Sequence, residues 1–447
     1  MERSGTFRQL VKFNFRDALM KMPTTRSFTA PLLLAALAVT SASSAEDQSQ
    51  LFKKIPLTDQ FYSEGAAIGD FNKDGKMDVI IGPYWYEGPD FTKKHAFAAE
   101  DFMTKAYDPH GYSKNFFAFV RDLNGDGWSD IIIIGFPGED TAWYENPKGK
   151  DGPWKRHVML KSTDNESPTV TELFGDGKPA LVCMSGGTMG YATADPADPT
   201  KPWIWHPTSP KMPAYQRFTH GLGIGDINGD GKMDLLDKDG WYEQPASLEG
   251  DPHWKKHPFN FGNGGAQMYV YDVNGDGLPD VITSIEAHGY GLAWFEQKKD
   301  DKGEITFIKH LIMGDKPSDS PYGLRFAQMH AIALADMFGD GVLDIVTGKR
   351  FWAHGPTGDK DAGEPAVLYV FRLVRGPNGK VDYVPYKVDD NSGVGTQVTV
   401  GNIAGGKHPD IVVGNKKGGF VFINQFDQLG KDYLEKNAPK PVAVEAK

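Results

Sequence analysis

The sequence predicts an all-β protein, a seven-bladed β-propeller with an amino-terminal strand completing the last blade. Three observations carry this expectation. A glycine- and aspartate-rich motif recurs along the chain, four short apolar runs accompany each recurrence, and the last recurrence lacks its fourth run while an extra run precedes the first.

The motif is clear in "GAAIGDFNKDGKMDVIIG", "FFAFVRDLNGDGWSDIIIIG", "GLGIGDINGDGKMDLLD", "MYVYDVNGDGLPDVITS" and "IALADMFGDGVLDIVTG". Two weaker copies, "TVTELFGDGKPALVCM" and "VTVGNIAGGKHPDIVVG", fill the gaps. The first loop residues are Asp70, Asp122, Glu172, Asp226, Asp272, Asp336 and Asn402, at spacings of 52, 50, 54, 46, 64 and 66 residues. Each unit has an apolar run, a Gly/Asp turn and a β-branched run. A third strand such as "WYENP" and a fourth such as "WKRHVML" complete it, which is the strand content of a propeller blade. The last unit ends at "GGFVFINQ", and "LFKKIPLT" (51–58) reads as its missing strand, closing the ring without a long open edge.

Ahead of the repeats, Lys21 and Arg26 precede "APLLLAALAV", then "TSASSA" and the acidic "EDQ". Residues 1–45 are therefore expected to be a secretory signal, with Ser43 and Ala45 as the small residues before cleavage and translation starting at Met20 or Met22. The apolar run is shorter than the roughly 20 residues that span a bilayer, so no stable membrane insertion is expected after cleavage. The propeller is assigned to 46–428 and a flexible tail to 429–447, and the protein is expected to be secreted or periplasmic. Its formal charge of -11 becomes about -15 without the leader's six basic and two acidic side chains, which excludes nucleic acid as a partner. The single cysteine, Cys183, forms no internal disulfide, so the core or bound ions must hold the fold.

The turns read as cation loops. Asp70, Asn72, Asp74 and Asp78 fall at positions 1, 3, 5 and 9 with glycine at 6, a spacing that gathers hard oxygen donors around one calcium ion. The pattern returns as Asp122, Asn124, Asp126, Asp130; as Asp226, Asn228, Asp230, Asp234; and as Asp272, Asn274, Asp276, Asp280. The sixth unit keeps Asp336, Asp340 and Asp344, whereas the third and seventh have lost several donors. The alternative is an Asx-rich hairpin turn without metal. These units resemble the FG-GAP or VCBS repeats of integrin-type and bacterial propellers, a likeness that implies the fold and structural Ca2+ but no activity.

Register sorts the histidines. His95, His157, His206, His257 and His310 share one place in the fourth strand and are expected to be architectural, while His253 and His408 lie in loops without evident partners. Six residues before each loop, at the start of the innermost strand, stand Glu64, Phe116, Glu166, His220, Ala266, His330 and Thr396, with Asn115, Gln267 and Gln397 beside them. Glu64, Glu166, His220 and His330 are candidate ligands for a Zn2+ or Mg2+ in the channel. The alternative is a set of hydrated polar groups. On the same face, loops supply His110, Tyr112, Lys114, Tyr84, Asp140, Glu286, His288, Tyr290, Lys349, Arg350, Trp352 and His354, a rim suited to a sugar-sized ligand.

The combination "MHAIALADMFGDG", "GKRFWAHGP", "THGLGIGDINGDG" and "GWYEQP" resembles the propeller portion of the aldos-2-ulose dehydratase family. That resemblance implies a metal-dependent carbon–oxygen lyase that eliminates water from a keto-sugar such as 1,5-anhydrofructose, or a glycosyl group from a 3-keto-glycoside. The chain ends after the propeller without a cupin-like region, so only the elimination step is implied. Within that scheme, chemistry and register place His110, His288 or His354 in proton transfer. Tyr112 or Tyr290 is assigned as acid, and Lys349 and Arg350 are placed at sugar oxygens. Two other readings remain open, a non-enzymatic glycan- or protein-binding propeller of adhesin or lectin type and a polysaccharide lyase.

Overall fold

The computed structural model describes residues 50–98 and 108–442. The expected leader at 1–45 lies outside the described residues. The chain is all-β with a propeller arrangement. Five four-stranded sheets stand as separate blades, and eight further strands form one sheet of two four-stranded meanders. The meanders meet where inner strands Leu222–Gly225 and Gln267–Tyr271 pair in parallel. Strand Phe52–Thr58 pairs antiparallel with Gly418–Asn424, so the amino terminus completes the last sheet as its sequence register required. Among the described residues no helix is long and apolar enough to cross a membrane.

The second strand of each unit is buried on both faces, as its unbroken β-branched runs dictate. Asp130–Ile134, Asp280–Ser284 and Asp344–Gly348 are buried throughout. The fourth-strand histidines are architectural: His95, His157, His257 and His310 stack on Trp85, Trp143, Trp241 and Trp294 with ring centroids 3.9–4.4 Å apart. Each turns Nε2 to a glutamate in, or for His95 just after, the third strand at 2.8–3.1 Å. His206 stacks on Tyr191 instead.

The ninth-position aspartates have a role that spacing did not reveal. Asp78, Asp130, Asp234, Asp280 and Asp344 are wholly buried. In each, one carboxylate oxygen accepts the backbone N–H of loop position 2 and the other accepts an N–H at the end of the third strand, as Asp280 does from Val273 (2.9 Å) and Gln297 (2.8 Å). Burial raises their carboxyl pKa values, that of Asp280 to about 6 and that of Asp130 to about 7. Beside them the amides of Asn146, Gln297 and Asn424 reach the preceding unit's backbone at Phe71, Ile227 and Met337, clasping neighbouring blades. Side-chain oxygens at positions 1, 3 and 5 hold the loop itself by accepting backbone N–H bonds: Asp272 from Gly277, Asn274 from Asp276 and Asp276 from Leu278.

Two expectations are corrected at the carboxyl end. The segment assigned as a flexible tail is helical over Phe426–Lys436, with a break at Gly430 (φ 73°). Its Leu434 is fully buried in the core beside Tyr386, whose hydroxyl donates to Leu434 O. His408, expected to be without a partner, bonds Asp427 of that helix through Nδ1 at 2.7 Å.

Candidate metal centre

Inner strands start at the channel, so a residue two places before one is delivered to its mouth. His220 precedes strand Leu222–Gly225 and His330 precedes Ile332–Ala335 in this way. His288 comes from the loop between Asp280–Ser284 and Leu292–Lys299. Backbone bonds from Ala287 N to Gly264 O and from Gln328 N to Gly289 O, both 2.9 Å, stitch that loop to its neighbours.

The three imidazoles converge, each offering one nitrogen within 4.8 Å of the others. Their ring centroids are 4.6–5.4 Å apart. His330 Nδ1 lies 3.2 Å from Gln328 O and His288 Nδ1 lies 3.1 Å from Asp359 Oδ1. A carbonyl or carboxylate oxygen can only accept, so both Nδ1 atoms carry a proton, which leaves Nε2 as the ligating nitrogen of each ring in its neutral form. The Nε2 atoms of His220 and His330 are buried without a hydrogen-bond partner. Burial, then the Arg350 guanidinium, holds His330 well below its usual pKa, in the neutral form that ligates metals. Three imidazoles, two of them oriented by outer oxygens, fit a zinc-type ion; the Mg2+ alternative, which demands oxygen donors, does not fit.

The expected carboxylate ligands are engaged otherwise. Arg350, 2% exposed, donates from Nε to Glu64 Oε2 (2.8 Å) and from Nη1 to Glu166 Oε2 (3.0 Å), spanning the channel from the sixth unit to the first and third. Glu166 also stands 3.5 Å from His220 Nε2, too long for a good hydrogen bond. Burial opposes its ionisation, yet His220 and Arg350 outweigh that and hold its carboxyl at about 2. Arg350 is therefore a buried clamp between two carboxylates and not a free ligand for sugar oxygens. Gln267 and Gln397 fill the channel by bonding backbone atoms of other units, at Thr396 and Ile332 and at Ala118.

Other expected catalytic groups divide. His354 Nδ1 bonds Asp359 Oδ1 at 2.8 Å and its ring stacks on His288 at 4.6 Å, with its side chain more than half exposed. Asp359 remains strongly acidic, because bonds from His288 and His354 overcome the burial that would neutralise it. His110 is exposed and packs against Gly355, where a Cβ would lie 2.4 Å from its Cε1. Lys349 is fully buried, its Nζ donating to the carbonyls of Asp361, Ala362 and Glu364, so it tethers a loop and holds no sugar. Tyr112 spends its hydroxyl on Ala353 O (2.9 Å), and burial raises its pKa. Tyr290 sits under Arg325, 5.2 Å from the guanidinium, and makes no contact with the three imidazoles that the structure records.

Three participants escaped sequence reasoning: Asp359, Gln328 and Lys416. Lys416 is buried with Nζ on Trp352 O at 2.8 Å, and burial lowers its pKa to about 8. Its signal was present, since it follows the second strand of the seventh unit just as Lys349 follows that of the sixth. Asp359 and Gln328 carry no signal in a single sequence, because their roles depend on which ring nitrogen they face.

No protein-family model matches the chain, and no curated protein matches it. Among solved structures it is similar to a rhamnogalacturonan lyase (12% identity, TM-score 0.41, covering 83% of this chain and 75% of that one). It is also similar to the Vibrio cholerae biofilm matrix protein Bap1 (11%, TM-score 0.40, 82% and 88%). A third likeness, to the Photorhabdus luminescens Tc holotoxin pore (15%, TM-score 0.34), covers 68% of this chain and spans only 14% of that one. Likenesses this distant assign neither ligand nor reaction.

Proposed function

We propose that this chain is an exported, carbohydrate-active, metal-dependent lyase. It acts on a keto-sugar such as 1,5-anhydrofructose or a 3-keto-glycoside, on a seven-bladed ring with Ca2+ in its intact hairpin loops. The eight-stranded sheet counts as two blades in that ring. The observation that supports the activity is the convergence of His220, His288 and His330, two of them with buried and unpartnered Nε2 atoms, beside a fourth histidine held by Asp359.

A zinc-type ion at the three imidazoles would supply Lewis acidity toward a ketone oxygen and so acidify the adjacent C–H. The chain's own groups do the rest. His354, with Nδ1–H committed to Asp359, presents Nε2 as the base for the α proton, and the carboxylate steadies the imidazolium that results. His110, packed at the residue after His354, returns a proton to the departing oxygen. Arg350 keeps two carboxylates charged and immobile under the site, fixing the field in which His220 sits.

Elemental analysis of purified protein tests this directly. One zinc-type ion per chain should be present and should be lost from the His220→Ala/His330→Ala variant without unfolding. His354→Ala should keep the ion yet fail to produce an enone chromophore from 1,5-anhydrofructose or a 3-keto-glycoside. A protein that holds only calcium, unchanged in the double variant, rules the proposal out.

A further inference from the structure

Phe218 stands two residues before His220 with 45% of its surface exposed and its backbone in the left-handed region at φ 69°. A bulky residue is rarely found there, and such a conformation persists only where neighbouring bonds impose it. They do so here: Phe218 N donates to Asp164 O, and Glu166 N to Thr219 O, both at 2.8 Å. The ring is thus held outward on the segment that delivers His220.

It belongs to a built surface. Phe136 meets it edge-on at 5.4 Å, and the Arg217 guanidinium lies 5.1 Å from the Phe218 ring and 5.6 Å from that of Phe136. Arg217 Nε donates to Pro137 O at 2.7 Å, in space left by Gly138, where a Cβ would fall 2.3 Å from that nitrogen. The aromatic run continues inward from Phe136 to Tyr112 (4.9 Å) and from Tyr112 to Phe116 (5.9 Å), whose ring lies 5.6 Å from Arg350. A run of packed aromatic rings therefore connects exposed Phe218 to Arg350, whose partner Glu166 stands 3.5 Å from His220.

We infer that Phe218, Phe136 and Arg217 form the subsite for the leaving group of a keto-glycoside, so the substrate carries a second ring and is not a free keto-monosaccharide. This rests on the lyase reading above. In the corresponding elimination the C2 proton passes to the base and its electron pair forms the C1–C2 double bond. The C1–O bond breaks toward the aglycone oxygen, which takes up a proton, and no redox partner is needed. An aryl ring or the apolar face of a pyranose packs on such a platform while the guanidinium edge holds a hydroxyl.

Calorimetric titration of the metal-loaded protein with unreactive glycosides provides the test. The wild type should bind 4-nitrophenyl β-D-glucopyranoside or cellobiose about threefold to tenfold more tightly than methyl β-D-glucopyranoside. Preference for one ring-bearing probe tells an aryl from a glycosyl aglycone. Phe218→Gly should erase the preference with unchanged metal content and an equal or higher Tm, since glycine adopts positive φ without strain. Equal wild-type affinities, or a Phe218→Gly protein that loses stability but keeps the preference, overturns the subsite. Ring preference without turnover removes the lyase reading and leaves the subsite. Turnover without ring preference does the reverse.

Discussion

Replacing Arg350 by methionine tests the channel most sharply. The guanidinium is 2% exposed and faces two carboxylates, Glu64 and Glu166, that are themselves buried. Methionine fills similar volume, so the cost is electrostatic: two buried charges lose their partner, and breaking such a pair costs about 3–5 kcal/mol. With an unfolding entropy of about 2 cal/mol/K per residue, roughly 380 ordered residues give about 0.8 kcal/mol per degree, so Tm should fall by about 4–6 °C. The same reasoning requires that Glu64→Gln/Glu166→Gln/Arg350→Met recover most of that loss, because no orphan charge remains. Differential scanning calorimetry reads both. A single variant within about 1 °C of wild type, or a triple variant no better than the single, refutes the view that Arg350 acts by neutralising those carboxylates.

At the hairpin loops, Asp280→Ala strands two buried N–H groups and should cost about 3 kcal/mol whether or not EDTA is present. Asp272→Ala, which removes a first-position oxygen and the loop N–H bonds it accepts, should lower Tm in EDTA and lower it further when calcium is present; an equal effect in both conditions rules out calcium at that loop. Lys349→Met should loosen 361–364, read as faster amide exchange there. Burial sets the Lys349 pKa at about 8, below its unfolded value of about 10.4, so the folded form binds fewer protons between them. Its contribution is then lost as pH falls through 8, and the stability gap between wild type and Lys349→Met should widen as pH rises from 8 toward 10. Leu434→Ala should cost about 2–4 kcal/mol in denaturant unfolding, since its side chain is fully buried. An unchanged midpoint would restore the view of that segment as a loose tail.

The blade architecture was legible because it repeats. A motif copied along the chain fixes which residues begin an inner strand, and from that register alone His220 and His330 fall at one level of the channel. Register gives a height along the channel but no azimuth and no charge partner. Glu64 and Glu166 share that height with the histidines, yet Arg350 claims both, because a buried carboxylate must be paired and the guanidinium is the cation within reach. The third imidazole comes instead from His288, in a loop that no other unit copies. Where the chain departs from its own repeat, a single sequence offers nothing to compare it with, and this centre is assembled largely from such departures. His288, His354 and Asp359 all lie in loops between second and third strands, whose lengths the sheet does not constrain. The repeat accounts for the scaffold, and the unrepeated loops, one of them held by Lys349 bonds to the carbonyls of 361–364, bring His288, His354 and Asp359 together.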